Sequence, residues 1–324
     1  MSLKKSTFFN ARVYKTYAVI IVYVLLMVIF MITAPKTFTG YKIYLAFLST
    51  VPFSLIMALG LTFVIIAGEI DLSFPSSMAL SGFAFMYLYI HLKNSIVALL
   101  ACIAVGIIIG FINGIIVTKT KVPSIVATLA TSFIWAGLSV VISGGIQINI
   151  PASRGSLFYN VLVGRIAGLI PAQSLWAFGL AIIMAFILNR HRFGEHVMFV
   201  GDNRETSKML GINVDRTLIS VFILNGALAS FSSVLLGLEY VTWWPTQGPG
   251  FLLITIAAVF IGGTSIYGGE GTMLGTVIGA FIVGSITAGV VASGAGGSWT
   301  QLIVGIVMLL AVVFNNNIIR VRKS

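Results

Sequence analysis

Residues 190–216 read RHRFGEHVMFVGDNRETSKMLGINVDR, the longest polar interval in a chain that is otherwise almost wholly apolar. Arg190, Arg192, Arg204, Lys208 and Arg216 stand there against Glu195, Asp202, Glu205 and Asp215, half of the chain's eight acidic residues. Gly201, Asp202 and Asn203 supply turn and N-cap chemistry, Arg204 to Leu210 can be helical, and Gly211 can end that helix. A short amphipathic helix on the cytoplasmic face of a membrane protein would be a handle for a soluble partner. A loop joining two spans need only be polar, and basic if cytoplasmic, so the topological reading stands beside the docking one.

The composition on either side of this interval is that of a membrane. Hydrophobic residues make up 58% and charged residues 8%, and mean hydropathy is +1.08. An average soluble domain is about one quarter charged. The net charge of +11 sits in loops, where orientation and anionic lipid account for it without nucleic acid. Cys102 lies in an apolar run and reads as a small buried hydrophobe. One cysteine and three scattered histidines, His91, His191 and His196, define no metal site.

A helix needs roughly 20 residues to cross the hydrocarbon core. The runs predict an all-α polytopic protein with about ten crossings: Tyr17–Thr33, Ile43–Ala67, Phe74–Ile90, Ile96–Val117, Val122–Ile142, Ile166–Asn189, Thr217–Tyr240, Phe251–Gly262, Thr272–Ala292 and Trp299–Phe314. The first is a retained helix rather than a leader, since it lacks a small-residue cleavage site. Lys4, Lys5, Arg12, Lys15, Lys119, Lys121, the basic residues of 190–216, Arg320, Arg322 and Lys323 then share one side, against Lys36, Lys42, Lys93, Arg154 and Arg165 on the other. That bias places both termini in the cytoplasm. The expected organisation is one membrane domain over 17–316, with cytoplasmic tails at 1–16 and 317–324.

Two Gly-rich interruptions break the apolar pattern, at 68–75 and at 262–271. Such breaks are either tight cytoplasmic turns or broken helices of an internal repeat around a path. Glu69 and Asp71 are the only acidic residues in the first half of the chain. Inside hydrocarbon they would be functional by default; in a turn, Asp71 before Ser73 and Pro75 would be N-cap chemistry. Gly106 and Gly110, and Gly275, Gly279 and Gly284, recur at the spacing that lets membrane helices approach closely.

Trp243, Trp244, Thr246 and Gln247, between the seventh and eighth runs on the external side, would suit a sugar whose C–H face packs on indole. An interfacial aromatic belt would use the same residues. Gln147, Asn149, Ser153 and Arg154 form a second external polar cluster. The chain has no G-x-x-x-x-G-K-[ST] loop and no catalytic constellation, so it neither binds nucleotide in the P-loop manner nor reads as an enzyme. An ion-coupled carrier using Glu69, Asp71 or Glu239, or a passive facilitator, stays open at this point.

Several motifs in order then resemble one family: Gly60-Leu61-Thr62-Phe63-Val64-Ile65 running into Asp71-Leu72-Ser73, Arg192-Phe193-Gly194, Gly201-Asp202-Asn203, Gly211-Ile212-Asn213, and Ile256-Ala257-Ala258-Val259 leading into Gly262-Gly263-Thr264-Ser265. The chain resembles, from about Leu45 to Asn316, the permease subunit of ribose-type ABC importers, which serve ribose, xylose, arabinose, galactose, polyols and the autoinducer-2 signal. The resemblance implies a bacterial inner-membrane protein with a second permease copy, a cytoplasmic ATP-binding subunit carrying ATP and Mg, and an extracytoplasmic solute-binding protein. Gly201, Asp202, Asn203, Glu205, Gly211, Ile212 and Asn213 match the family's ATPase-docking loop. Glu69, Asp71 and Ser73, with Trp243, Trp244, Thr246 and Gln247, are the substrate-pathway candidates. Glu69 stands where the family usually has Gly, Leu252 and Ile254 where it often has acidic residues, and the tandem tryptophan is not general to it.

Overall fold

In lipid a segment must satisfy its own backbone, so long apolar runs have little choice but to become helices. The computed structural model of the chain describes residues 2–150, 153–292 and 298–323, with side chains at 17–150, 153–292 and 299–313. Six of its helices are long and apolar enough to cross a membrane: α3 (Tyr41–Ile66), α5 (Ser95–Thr120), α6 (Ser124–Ser143), α8 (Ala172–Arg190), α11 (Val214–Tyr240) and α13 (Met273–Ala292). Shorter apolar stretches occupy α1 (Ser2–Thr33), α12 (Gly250–Ile261) and α14 (Ser298–Lys323). The less apolar α4 (Phe74–Leu92) corresponds to the third run, and α2 (Pro35–Phe38) is a single turn between α1 and α3. The protein is an all-α, multi-pass membrane protein. The tail side chains at 1–16 and 317–324 lie outside the described residues.

Boundaries follow local chemistry. Asn94 begins α5 by accepting from the amides of Ile96 and Val97, and α6 starts after Pro123 and stops at Gly144 in the left-handed region. The sixth run behaves differently from its sequence pattern. Its first residues form a short hairpin, β2 (Arg165–Ile166) with β3 (Ile170–Pro171), preceded by α7 (Leu157–Val163), and α8 begins only at Ala172. Gly168 at φ 73° turns the hairpin, and Pro171, with no N–H to donate, precedes the helix.

α3 is buried along most of its length and packs against α8, α11, α12 and α13; α11 in turn packs on α4 and α5. The α5–α11 contact is backbone on backbone. A Cβ on Gly106 would lie 1.8 Å from the Ser230 hydroxyl and 2.4 Å from the Gly226 carbonyl, and α12 meets α13 the same way at Gly275 and Gly279. Cys102 is buried on this seam, its Sγ 3.4 Å from the Ser230 carbonyl. α5 and α6 turn Ile108, Phe133 and Val141 outward, as surfaces that face lipid do.

Two ion pairs mark the ends of the bundle. Lys119 Nζ meets Asp215 Oδ2 at 2.7 Å where α5 finishes and α11 starts, and this is the basic end. Arg165 meets Glu239 at 2.5 Å at the opposite end, and hydrogen bonding to Glu239 raises the guanidinium above its ordinary pKa. The Lys119–Asp215 pair is solvent-exposed enough to add little stability, whereas the Glu239 side chain is only 16% exposed and takes both terminal guanidinium nitrogens of Arg165.

Candidate functional site

The polar interval folds as two helices. α9 (Arg192–Asp202) buries Gly194, Val197 and Val200 and begins with His191 Nδ1 accepting from the Phe193 amide at 3.1 Å. Sequence reading did not anticipate this helix. α10 (Arg204–Met209) follows, capped by Asn203 Oδ1 on the Thr206 amide at 2.9 Å and ended by Gly211 at φ 78°. Asn213 caps α11 through the Arg216 amide. Asp202, Asn203, Glu205, Gly211 and Asn213 are exposed, and Ile212 is half-buried. Met209 and Leu210 had not been singled out. They are 86% and 62% exposed, so the tip of α10 offers an apolar surface with charged Glu205 and Lys208 beside it. Two bulky apolar residues closing a short polar helix were the available signal.

Gly201 does something other than face solvent. A Cβ there would fall 1.7 Å from the Ile66 carbonyl and 2.7 Å from the Gly269 amide, so the end of α9 rests directly on the end of α3. Gly269 N donates to the same Ile66 carbonyl at 2.8 Å. A Cβ on Gly268 would lie 2.8 Å from the Gly201 carbonyl and 3.0 Å from Gly68 Cα. The two Gly-rich interruptions and the polar interval, far apart in sequence, therefore meet at one place. Next to it, Arg204 Nη2 pairs with Glu69 Oε1 at 2.5 Å; the Glu69 side chain is 7% exposed and that of Arg204 45%.

Both interruptions start with the same ending. Gly68 N returns to Ile65 and Glu69 N to Val64; Gly263 N returns to Phe260 and Thr264 N to Val259. This is the Schellman geometry that a glycine just past a helix favours. α6 and α10 finish in the same way at Gly144–Gly145 and Gly211–Ile212, so the shared ending reflects glycine chemistry and does not mark an internal repeat.

Beyond Glu69 the segment turns into the bundle. Ser124 Oγ accepts from the Ile70 amide and Thr128 Oγ1 from the Leu72 amide, both at 3.0 Å, holding the segment against α6. Asp71 is 2% exposed. It accepts from Ser73 N at 2.8 Å, Ser73 Oγ at 2.6 Å and Asn225 Nδ2 at 2.9 Å. Asn113 Nδ2 then donates to Ser73 Oγ at 2.6 Å. Asn225 lies eleven residues into α11, about 16 Å along a helix that rises 1.5 Å per residue. Asp71 is thus neither a plain surface cap nor a cation-paired site among the described residues. It is a buried carboxylate held by neutral donors from α11 and its own turn, with Asn113 of α5 supporting Ser73 behind it, which is how a charge is tolerated away from water.

At the opposite end, β1 (Ile148–Asn149) pairs antiparallel with β4 (Thr242–Trp243), joining two polar clusters that sequence reading had kept separate. Trp243 is fully buried. Its Nε1 donates to the Ala79 carbonyl of α4 at 2.9 Å and its ring meets Phe83 edge-on. Gln247 is also buried, with Nε2 on Ser233 Oγ at 3.1 Å and Oε1 without a partner among the described residues. Trp244 is half-buried and Thr246 exposed. With Val140, Gly145, Gln147 and Pro245 they line an open cleft of about 350 Å³. Ser153 is buried on the Ile150 carbonyl, Asn149 and Arg154 are exposed, and Glu239 is taken by Arg165. Gly248 seats against the Pro75 carbonyl, so this end also reaches the start of α4.

Residues 43–312 match the family described as branched-chain amino acid transport system / permease component. The ribose import permease protein RbsC of Escherichia coli (strain K12) is 35% identical over 263 residues, which cover 81% of each chain. The autoinducer 2 import system permease protein LsrC of Salmonella typhi is 32% identical over 269 residues, 82% of this chain and 75% of that protein. No solved structure matches the chain.

Proposed function

We propose, for a chain that belongs to the family of branched-chain amino acid transport system permease components, that it is the membrane subunit of a binding-protein-dependent ABC importer for a monosaccharide or sugar-like solute. ATP and Mg are bound, and ATP hydrolysed, by a separate cytoplasmic subunit. A solute-binding protein delivers the substrate outside, a second permease copy completes the pathway, and this chain performs no catalysis. It sits in the bacterial plasma membrane with both termini and α9–α10 in the cytoplasm, in keeping with the basic bias at that end.

The observation that carries this reading is the cytoplasmic helix pair. α10 presents Glu205, Lys208, Met209 and Leu210 to solvent while Gly201 and Arg204 bind it to the ends of α3 and the 68–73 segment. An element free on one face and locked to the bundle on the other is suited to convert closure of an ATPase dimer into a rigid-body change. Asp202, Asn203, Gly211, Ile212 and Asn213 complete the docking surface. Relatives named for ribose and autoinducer 2 import support a hydroxyl-rich solute. Trp244 and Thr246, with Gln147, offer the ring face and polar groups such a solute uses at the mouth; Trp243 and Gln247 shape that mouth from behind, and Glu69, Asp71 and Ser73 border the path below.

The test is uptake of labelled ribose, xylose and galactose into proteoliposomes holding the purified complex with its ATPase and binding protein. Uptake of one of these that requires ATP at the ATPase side and persists with an uncoupler supports the importer. Uptake without ATP that collapses with the uncoupler would establish an ion-coupled carrier instead.

A further inference from the structure

We infer that the Arg204–Glu69 ion pair is the contact that passes movement of the docking helices to α4, and through α4 to the external mouth. The inference rests on the importer reading and adds to it the residues that carry the motion.

Arg204 is the first residue of α10, so its guanidinium is fixed to the docking element rather than to a free loop. Glu69 sits one residue beyond Gly68, whose φ of 79° lets the chain leave α3, and its carboxylate is nearly buried. Two residues further, Asp71 holds Ser73 by backbone and hydroxyl, and Ser73 begins α4. The first turns of α4 (Phe74–Leu92) carry contacts to both the inner segment and the external stretch. Its start is tied to Glu69 through Asp71, the Ala79 carbonyl takes the Trp243 indole, and the Pro75 carbonyl backs Gly248 of the external stretch. A pull on Glu69 is therefore a pull on the base of α4, and α4 cannot shift without moving the wall that carries Trp243 and Trp244. The neighbouring Gly201–Ile66 seat is rigid backbone contact and provides a fulcrum. An ion pair beside a steric fulcrum can lengthen or break while the seat holds, as a two-position contact requires.

The experiment places spin labels at Leu92→Cys, at the external end of α4, and Leu169→Cys, on the β2–β3 hairpin, in the complex with its ATPase in nanodiscs. Pulsed electron resonance reads their separation with and without ATP and vanadate. The native complex should show a nucleotide-dependent change in the distance distribution. Glu69→Gln and Arg204→Gln should lose it while still binding the ATPase and hydrolysing ATP, and Arg204→Lys, which keeps the charge, should retain it. Substrate-stimulated hydrolysis should fall about fivefold or more in both Gln variants, the lower range of coupling between sites. An unchanged distance response in Glu69→Gln and Arg204→Gln would overturn the latch and leave the importer standing, as would a native complex in which α4 does not respond at all. Failure of the native chain to hold an ATPase would overturn the importer reading itself, and the latch with it.

Discussion

Asn225 donates a 2.9 Å hydrogen bond to Asp71 across 154 positions of sequence, and by that bond the middle of α11 holds the turn from which α4 starts. Replacing Asp71 by Ala should leave Ser73 and Asn225 with buried donors unmatched, at a cost of about 1–3 kcal/mol for each group. Thermal unfolding in detergent should show a lower Tm for Asp71→Ala, and a smaller loss for Asp71→Asn, which keeps the shape and one acceptor. Equal stability of Asp71→Ala and the native chain would remove the network from the account of α4.

Gly201 and Met209 should fail in different ways although both lie in the 190–216 polar interval. Gly201→Ala forces a methyl into the Ile66 carbonyl and should destabilise the α9–α3 seat by about 1–3 kcal/mol, the usual range for overpacking. Met209→Ser with Leu210→Ser should leave Tm unchanged and reduce ATPase recovery about fivefold or more, as loss of an interface anchor does. Thermal melts and quantitative co-purification separate the two effects.

The adjacent tryptophans should separate as cleanly. Trp243→Phe keeps the ring in its slot but gives up the bond to the Ala79 carbonyl, a loss of about 1 kcal/mol in stability. Trp244→Ala and Gln147→Ala should leave stability alone and raise the half-saturating substrate concentration for uptake. Kinetics in proteoliposomes check this, and unchanged uptake in both variants would make the cleft an ordinary surface.

Gly106→Val should be among the most damaging single changes, because two bulky methyls would have to enter the α5–α11 seam where Ser230 and Gly226 leave no room. Lys119→Ala, which removes an exposed partner of Asp215, should change stability by less than about 0.5 kcal/mol. Melting curves of the two variants side by side test whether backbone approach or surface charge holds these helices.

The helices were legible because an apolar stretch of spanning length has one structural outcome, and the small-residue spacing at Gly106 and at Gly275 and Gly279 pointed to the faces that pack. The sixth run misled at Ile166, since a hairpin at the end of the bundle is as apolar as the span it precedes. α9 was hidden by its polar composition, although the three-residue spacing of Gly194, Val197 and Val200 was present. The cap at Asn203 and the stop at Gly211 were readable as local chemistry. What could not be read was contact between distant segments. Gly201 on Ile66 and Arg204 on Glu69 depend on how three interruptions of the apolar pattern come together, Trp243 on α4 depends on how the external stretch folds back, and no periodicity encodes either.

Affinity purification of the tagged chain from membranes in mild detergent, with mass spectrometry of what accompanies it, addresses the importer assignment most directly. Recovery of an ATP-binding subunit together with a sugar-binding protein is expected, with the ATPase lost in the Met209→Ser, Leu210→Ser variant. Recovery of the native chain alone, with substrate crossing liposomes that hold no other protein, would contradict it.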